Sequence, residues 1–436
     1  VSETSARPDS YLYTIFLSNQ AEGNGLILSS GRTWKKSRNM AAKAMQSWGV
    51  QDSGILRMVE MQTTKMVDII EQTIDKEGEV MNLNKPISYT VASIIYQLVL
   101  GRRYDISDER MWHLKDLLDK VLENVQGVQM LIADNYPWMR DFLPADQEYR
   151  RLGFELQAFF NREIALSKEK FEDGEVHPEI SPDNLICKYL ADTRALENGH
   201  CFLCRDADIN CLVGDIWTGG METTLTATRW AILFLIENPL VQERLHEEII
   251  QRYPRHSNGE FDYSSRRDLP YFCATVDEVL RLANVLPWNI PHRATKSFKL
   301  GEHTIREGTN LMFSYSSLHH DESIFPDPYK FNPERFIRRS PQSEEEATEW
   351  RRGGKDLDSF LIYESNPMLN PFGMGQRKCP GEQLARKEIF VFLLALVQRF
   401  RFSIVDSNPP DTTRCRGMTS APKDFVTRVE RRRDWY

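Results

Sequence analysis

The stretch Pro371-Phe372-Gly373-Met374-Gly375-Gln376-Arg377-Lys378-Cys379-Pro380-Gly381 constrains this chain more than any other, because it runs straight into an apolar helix candidate, Glu382 to Phe400. Gly and Pro on both sides of one Cys describe a backbone that folds back tightly and aims several amide N–H groups at one atom. The following helix places Cys379 at a helix N-terminus, beside Arg377 and Lys378. The helix dipole and the cations stabilise a thiolate there. Such a sulfur is either a nucleophile or a metal ligand, and the stretch alone leaves both open.

The remainder of the chain reads as helical. Apolar residues recur at helical spacing over Thr33 to Ser47, Gly54 to Asp75, Val91 to Leu100, Met111 to Val125, Phe154 to Phe171 and Thr275 to Ala283. Asp208 to Ile236 is the longest candidate and carries Gly219-Gly220 in its middle. A glycine pair costs a helix about 2 kcal/mol relative to alanine, so close approach of a ligand to the backbone is one expected compensation. Pro239 opens the next helix, which runs to Arg252. Tyr136 to Pro144 and Phe171 to Asp183 read as connections. After Pro287, Thr295 to Met312 alternates in polarity and reads as short strands, whereas Phe325 to Pro371 is Pro-rich and irregular. Phe400 to Val405 and Phe425 to Glu430 suggest a small hairpin-like sheet. The expected fold class is mostly α with a small segregated β part, α+β in the broad sense. No strong linker interrupts residues 1–436, so one large domain is expected.

Composition excludes several functions. The net charge of −8 argues against a dedicated nucleic-acid binder. Seven Cys in 436 residues do not make a disulfide-dense scaffold. The longest apolar run, Ile389 to Val397, is half the roughly 18 residues that a spanning helix needs. The first residue is Val and no charged-then-apolar leader follows it.

Phe372, Gly375, Arg377, Cys379 and Gly381 match F-x-x-G-x-R-x-C-x-G, and by this string the chain resembles the cytochromes P450. The resemblance implies haem b with Cys379 as axial iron ligand, the thiolate pushing electron density toward O–O cleavage. Three further motifs follow the family order. Gly219-Gly220-Met221-Glu222-Thr223-Thr224 resembles the distal-helix motif A/G-G-x-D/E-T-T, in which glycine leaves room for O2. It implies that Glu222 and Thr223 deliver protons, which needs a carboxyl and a hydroxyl close to the oxygen. Glu278-x-x-Arg281 and Pro333-Glu334-Arg335-Phe336 imply a buried network of Glu278, Arg281 and Arg335 that locks the loop around Cys379. Trp34-x-x-x-Arg38 implies hydrogen bonds to a haem propionate, with His292 as a second propionate partner and neighbouring Arg293 as its rival for that role.

The resemblance runs from about Pro8 to Tyr436. Gly101-Arg102-Arg103-Tyr104-Asp105, Tyr136-Pro137-Trp138 and Phe325-Pro326-Asp327-Pro328 look like the animal microsomal, family-2 type. Only 33 residues precede Trp34, so the membrane anchor, the N-terminal helix and the first strands of such proteins are expected to be missing. The implied activity is a haem-thiolate monooxygenase that inserts one atom of O2 into a lipophilic substrate. Its implied electron donor is an NADPH-dependent cytochrome P450 reductase, with cytochrome b5 as a further partner, and its implied place is the cytoplasmic face of the endoplasmic reticulum membrane, held by the absent N-terminus. Lys35, Lys36, Arg377, Lys378 and Lys387 form the expected basic docking patch. Ile216 to Gly220, Leu286 to Ile290 and Met418 to Ala421 are the expected pocket segments. A truncated relative that holds haem without turnover is the alternative; an isomerase or dehydratase that needs no O2 has no use for the Glu222-Thr223 pair. His200-Cys201-x-x-Cys204 lacks a second ligand pair at zinc-site spacing and reads as loop, and His319-His320 reads as a loop pair near a helix end.

Overall fold

A computed structural model describes residues 2–8, 10–11, 25–49, 55–125, 128–173, 184–196, 206–253, 263–339, 361–415 and 417–433. Helices dominate: α1 (Gly31–Ser47), α2 (Leu56–Glu77), α3 (Asn84–Leu100), α4 (Glu109–Asn124), α5 (Val128–Asn135), α6 (Pro144–Asp173), α7 (Leu185–Leu196), α8 (Asp206–Glu237), α9 (Pro239–Arg252), α10 (Pro270–Ala283), α11 (Tyr315–His319) and α12 (Glu382–Arg399). Helix α8 is the centre of the packing, touching α3, α6, α10 and α12. A helix enclosed on all sides must be apolar all round, and α8 fits: Leu212, Trp217, Leu225, Trp230, Ile232 and Leu235 are all buried. Two of its threonines turn their hydroxyls back onto the helix: Thr223 Oγ1 donates to the Gly219 carbonyl at 2.6 Å and Thr228 Oγ1 to the Thr224 carbonyl at 2.9 Å. Asn238-Pro239 stops α8, and Pro239 sits in the first turn of α9, where its missing N–H costs nothing.

The β structure is small and antiparallel. β1 (Val80–Met81), β9 (Thr427–Arg431) and β8 (Phe400–Ser403) form one sheet in that order. Its register pairs Phe402 with Val429 and Val80 with Arg428. Phe400, Phe402 and Val429 turn into the core. The other pairs are β2 (His292–Arg293) with β5 (Asn310–Leu311), β3 (Phe298–Leu300) with β4 (His303–Ile305), and β6 (Ile337–Arg339) with β7 (Leu361–Tyr363). Ala6 bridges to Arg293, so residues 2–8 run beside β2. Among the described residues, no helix is long and apolar enough to cross a membrane.

The mostly helical class with a minor β part therefore holds. Several boundaries differ from those read in the sequence. α3 and α6 start earlier than Val91 and Phe154, and α5 and α7 lie where no helix was expected. Tyr136 to Pro144 is not a plain loop: Pro137–Phe142 coils as a 3-10 helix and Pro144 opens α6. Proline disrupts helix interiors yet suits first turns, which is why this stretch misleads. Most of the Phe171 to Asp183 connection, together with Gly54, residues 340–360 of the irregular Phe325 to Pro371 stretch and His200-Cys201-x-x-Cys204, lies outside the described residues. His319-His320 lies at a helix end as expected: His319 is the last residue of α11 and His320 follows it, but His319 is fully buried, and burial lowers its pKa to about 4.

The buried triad forms, and it reaches the loop around Cys379 indirectly, through the segment that carries His319. Glu278 and Arg281 are both fully buried; Arg281 Nε donates to Glu278 Oε2 at 2.8 Å and Arg335 Nε to Glu278 Oε1 at 3.1 Å. The spare N–H groups of Arg281 reach the carbonyls of His319 and Pro328, both at 2.7 Å, and Arg335 Nη1 reaches Pro326 at 2.7 Å. The network thus pins residues 319–335 to α10, and His319, held by Arg281 through its carbonyl, accepts the Asn370 N–H on Nε2 at 3.3 Å, one residue before the loop around Cys379. Every buried charge is paired, and removing one partner strands the others. Glu278→Ala is expected to cost about 3–5 kcal/mol of stability, measured as a lowered urea midpoint.

Candidate functional site

One cavity collects most of the singled-out residues. Its wall includes Trp34 and Arg38 from α1, Gly219, Gly220, Glu222 and Thr223 from α8, and Phe372, Arg377, Cys379 and Gly381 from the loop before α12. Gly375 does not reach the wall. Its φ of 72° lets the chain turn into the short 3-10 coil Gly375–Arg377 that presents Cys379. The Cys379 amide closes this loop by donating to the Phe372 carbonyl at 2.9 Å. Cys379 keeps open surface, and that surface belongs to the cavity wall. Burial pushes its thiol pKa up, while the Gly381 amide and Arg38 pull it back down.

Three guanidinium groups meet in this wall: Arg7, Arg38 and Arg377. Arg377 donates to the carbonyls of Ser5 at 2.8 Å and Ser29 at 2.6 Å and stacks on the Trp34 ring, 4.3 Å from its centre. Burial, with Arg7 and Arg38 nearby, lowers its pKa to about 9. Burial also lowers that of Arg38, whose guanidinium hydrogen-bonds to no described residue. Arg7 reaches the carbonyls of Ile27 at 2.9 Å and Ile290 at 2.8 Å. No sequence motif marks Arg7; the fold alone brings it in from a distant segment. His292, by contrast, does not join the wall. Its Nδ1 bonds the Thr4 carbonyl at 2.6 Å, and burial lowers its pKa, so it stays a neutral clasp for residues 2–8.

The two glycines of α8 have separate roles. A Cβ on Gly219 would meet nothing within 4 Å, whereas a Cβ on Gly220 would come within 2.5 Å of Ile95 Cδ1. Gly219 therefore keeps open space, and Gly220 lets α3 approach α8. Thr223 Oγ1 donates to the Gly219 carbonyl at 2.6 Å. The Glu222 carboxyl turns to Thr226 at 3.1 Å and Thr419 at 3.4 Å, and burial raises its pKa.

Two further carboxyls in the wall carry no sequence signal. Asp215 accepts the backbone N–H of Leu26 and, at 2.8 Å, of Ile27; burial pushes its pKa to about 7. Glu388 on α12 meets Thr224 Oγ1 at 3.4 Å, and burial pushes its pKa to about 8. Of the expected pocket segments, Ile216, Thr218, Leu286, Asn289, Ile290, Met418 and Thr419 reach the wall, while Trp217 packs away on Tyr96 and Phe160.

The helical fold and this cavity define a haem-binding oxidoreductase. The cytochrome P450 family profile matches residues 2–428, and the chain belongs to that family. It is 30% identical to a 3-ketosteroid oxygenase of Caenorhabditis elegans, over 98% of this chain and 69% of that protein. It is also 30% identical to a farnesoate epoxidase of Bombyx mori, over 96% of this chain and 78% of that protein. Cytochrome P450 2L1 of Panulirus argus is 28% identical, over 92% and 76%. The enzyme class is therefore P450 monooxygenase and the cofactor haem b. The cavity fits that group: a sulfur donor, apolar walls for the macrocycle, and crowded cations suited to two propionates.

Two outcomes follow for stability. Gly220→Ala forces Ile95 aside and is expected to cost about 1–3 kcal/mol in denaturant titration, whereas Gly219→Ala meets nothing and is expected to stabilise by about 1 kcal/mol. For Glu388, the folded pKa of about 8 lies above its ordinary 4.5. Its stabilising contribution is whole below that ordinary value and disappears as pH rises to about 8. Glu388→Gln is expected to flatten the fall in urea midpoint between pH 5 and about 8.5, the range this shift covers.

Proposed function

We propose that Cys379 is the axial ligand of the haem and that the chain inserts oxygen into a lipophilic substrate with electrons from an NADPH-dependent flavoprotein reductase. The observation that carries this reading is one cavity shared by the Cys379 sulfur, the Gly219 gap in α8 and three arginines. When bound, haem supplies the iron at which O2 is activated and one oxygen atom is passed to the substrate. The chain's residues then have distinct tasks. Arg7, Arg38 and Arg377, with the Trp34 ring against Arg377, orient the propionates. Gly381 aims its amide at the sulfur and tempers its basicity. Gly219 leaves room for O2. Glu222, whose pKa burial raises, and Thr223, anchored on the Gly219 carbonyl, hold the proton supply beside that gap.

The apolar wall supports a lipophilic substrate, in line with the farnesoate and ketosteroid named for the relatives. Docking of the electron donor on the face outside α1 is supported by the exposed cations Arg32 and Lys35. Two residues of the basic patch read in the sequence do not serve this role: Lys387 is buried, and Arg377 is committed to Ser5 and Ser29. Lys378 is accessible but paired with Glu382 at 2.6 Å. Contact with the endoplasmic reticulum membrane is supported by an exposed apolar patch on α5 and the following coil, where Val128, Trp138 and Phe142 are each more than 70% exposed.

Cys379→His in the haem-loaded protein is expected to lose the red-shifted absorption band of the reduced, CO-bound thiolate state, together with reductase-driven product formation. A variant that keeps the band would place another ligand on the iron.

A further inference from the structure

One donor in the cavity wall has no part in the chemistry above. Tyr315 opens α11, is 8% exposed, and lines the cavity together with Gly373 of the cysteine loop. Gly373 has a φ of 75°, and a Cβ built on it would stand 3.2 Å from the Tyr315 hydroxyl oxygen. The hydroxyl therefore occupies the place toward which a side chain at residue 373 would point.

Several contacts hold the ring there. It stacks on His319, with ring centres 6.1 Å apart and planes 18° from parallel. His319 is itself tied to Arg281 through its carbonyl at 2.7 Å and to the Asn370 N–H at 3.3 Å. Ser316, next to Tyr315, donates its N–H to the Pro287 carbonyl at 3.1 Å. At the tip of the side chain, the Met374 amide donates to the phenolic oxygen. That bond uses a lone pair and leaves the proton unspent, and the Tyr315 O–H donates to no described residue. Burial raises its pKa above the ordinary 10.0, so the group is a neutral donor at physiological pH.

The neighbours decide what this donor meets. Arg7 lies close enough for its charge to pull the Tyr315 pKa partly back down. Arg7 also holds the Ile290 and Pro291 carbonyls, in the same connection whose Pro287 carbonyl anchors α11. Arg377 follows Gly373 by four residues in the cysteine loop. An acceptor at this edge sits among cations, which favours a carboxylate over a neutral oxygen. We infer that Tyr315 is a further cofactor-binding residue, donating its O–H to a haem propionate beside Arg7 and Arg377. This rests on the haem-thiolate reading of the same cavity and adds a neutral donor to its arginines. A hydroxyl binds a carboxylate oxygen without bringing another positive charge out of water, which a fourth guanidinium group could not do.

Tyr315→Phe removes one oxygen and leaves the ring and its stack on His319. The test is the rate of haem transfer from the loaded protein to excess apomyoglobin, with the resonance Raman propionate-bending band recorded on the same samples. Haem is expected to leave Tyr315→Phe about tenfold faster, the scale of one hydrogen bond to a charged group, and the band is expected to shift. Iron protoporphyrin IX dimethyl ester, loaded in place of haem, has no carboxylate, and the two proteins should release it at the same rate. Equal haem loss from both proteins, or an unshifted band, would overturn the inference. So would a rate difference that persists with the ester, because that is the mark of a loosened loop. The reduced, CO-bound spectrum reports separately on the haem-thiolate reading. Without the thiolate band in the wild type that reading falls, whereas an intact band with unchanged haem retention removes only the role of Tyr315.

Discussion

The guanidinium of Arg377 is the joint on which the cavity depends. It sits two residues before Cys379 and binds carbonyls of Ser5 and Ser29, which belong to segments far away in sequence. Its flat face rests on Trp34 of α1. One side chain therefore joins the sulfur-bearing loop, residues 2–8, the turn before α1 and α1 itself. A planar fork with five donors can satisfy several carbonyls at once, which a lysine could not do. The cost is a positive charge removed from water next to two others, visible in its lowered pKa. Anionic propionates at this edge relieve that cost, so chain packing and cofactor binding favour the same arrangement.

Helix α8 supplies the second organising element. Its apolar circumference lets it pass through the core, while its polar side chains are each accommodated in a different way. Thr228 bonds within the helix, Thr224 meets Glu388 of α12, and Asp215 clasps the turn at residues 26–27. Three carboxyls in one low-dielectric wall, Asp215, Glu222 and Glu388, all have raised pKa values. Protonated acids suit a site that must hold protons away from water.

The sequence made the chemistry-bearing motifs legible because they are local. The turn around Cys379, the glycine pair of α8 and the Glu278–Arg281 spacing are fixed by a few neighbouring residues, and the structure brings the first two to one cavity. Residues whose placement depends on distant contacts could not be read. Arg7, Asp215 and Glu388 are ordinary charged residues until folding brings their segments together. Lys387 looked exposed only because charge is usually outside, yet its stem is buried and its ammonium lies 5.6 Å from the Tyr263 ring. Gly220 was read as room for a ligand and proves to be room for Ile95. Both readings follow from a missing Cβ, and only tertiary packing separates them.

Residues 2–8 form a strap held largely through backbone carbonyls: Glu3 accepts from the Thr295 N–H, Thr4 from His292, Ser5 from Arg377 and Ala6 from the Arg293 N–H. Such a strap depends on few of its own side chains apart from Arg7, so its path is set by the groups that bind its backbone. It also links cofactor retention to local fraying. If haem binds only when the strap is seated, its apparent affinity scales with the seated fraction, and bound haem in turn holds the strap down. Proteolytic sensitivity of this short segment would then rise and fall with haem occupancy, making a peripheral strap a gauge of what the cavity holds.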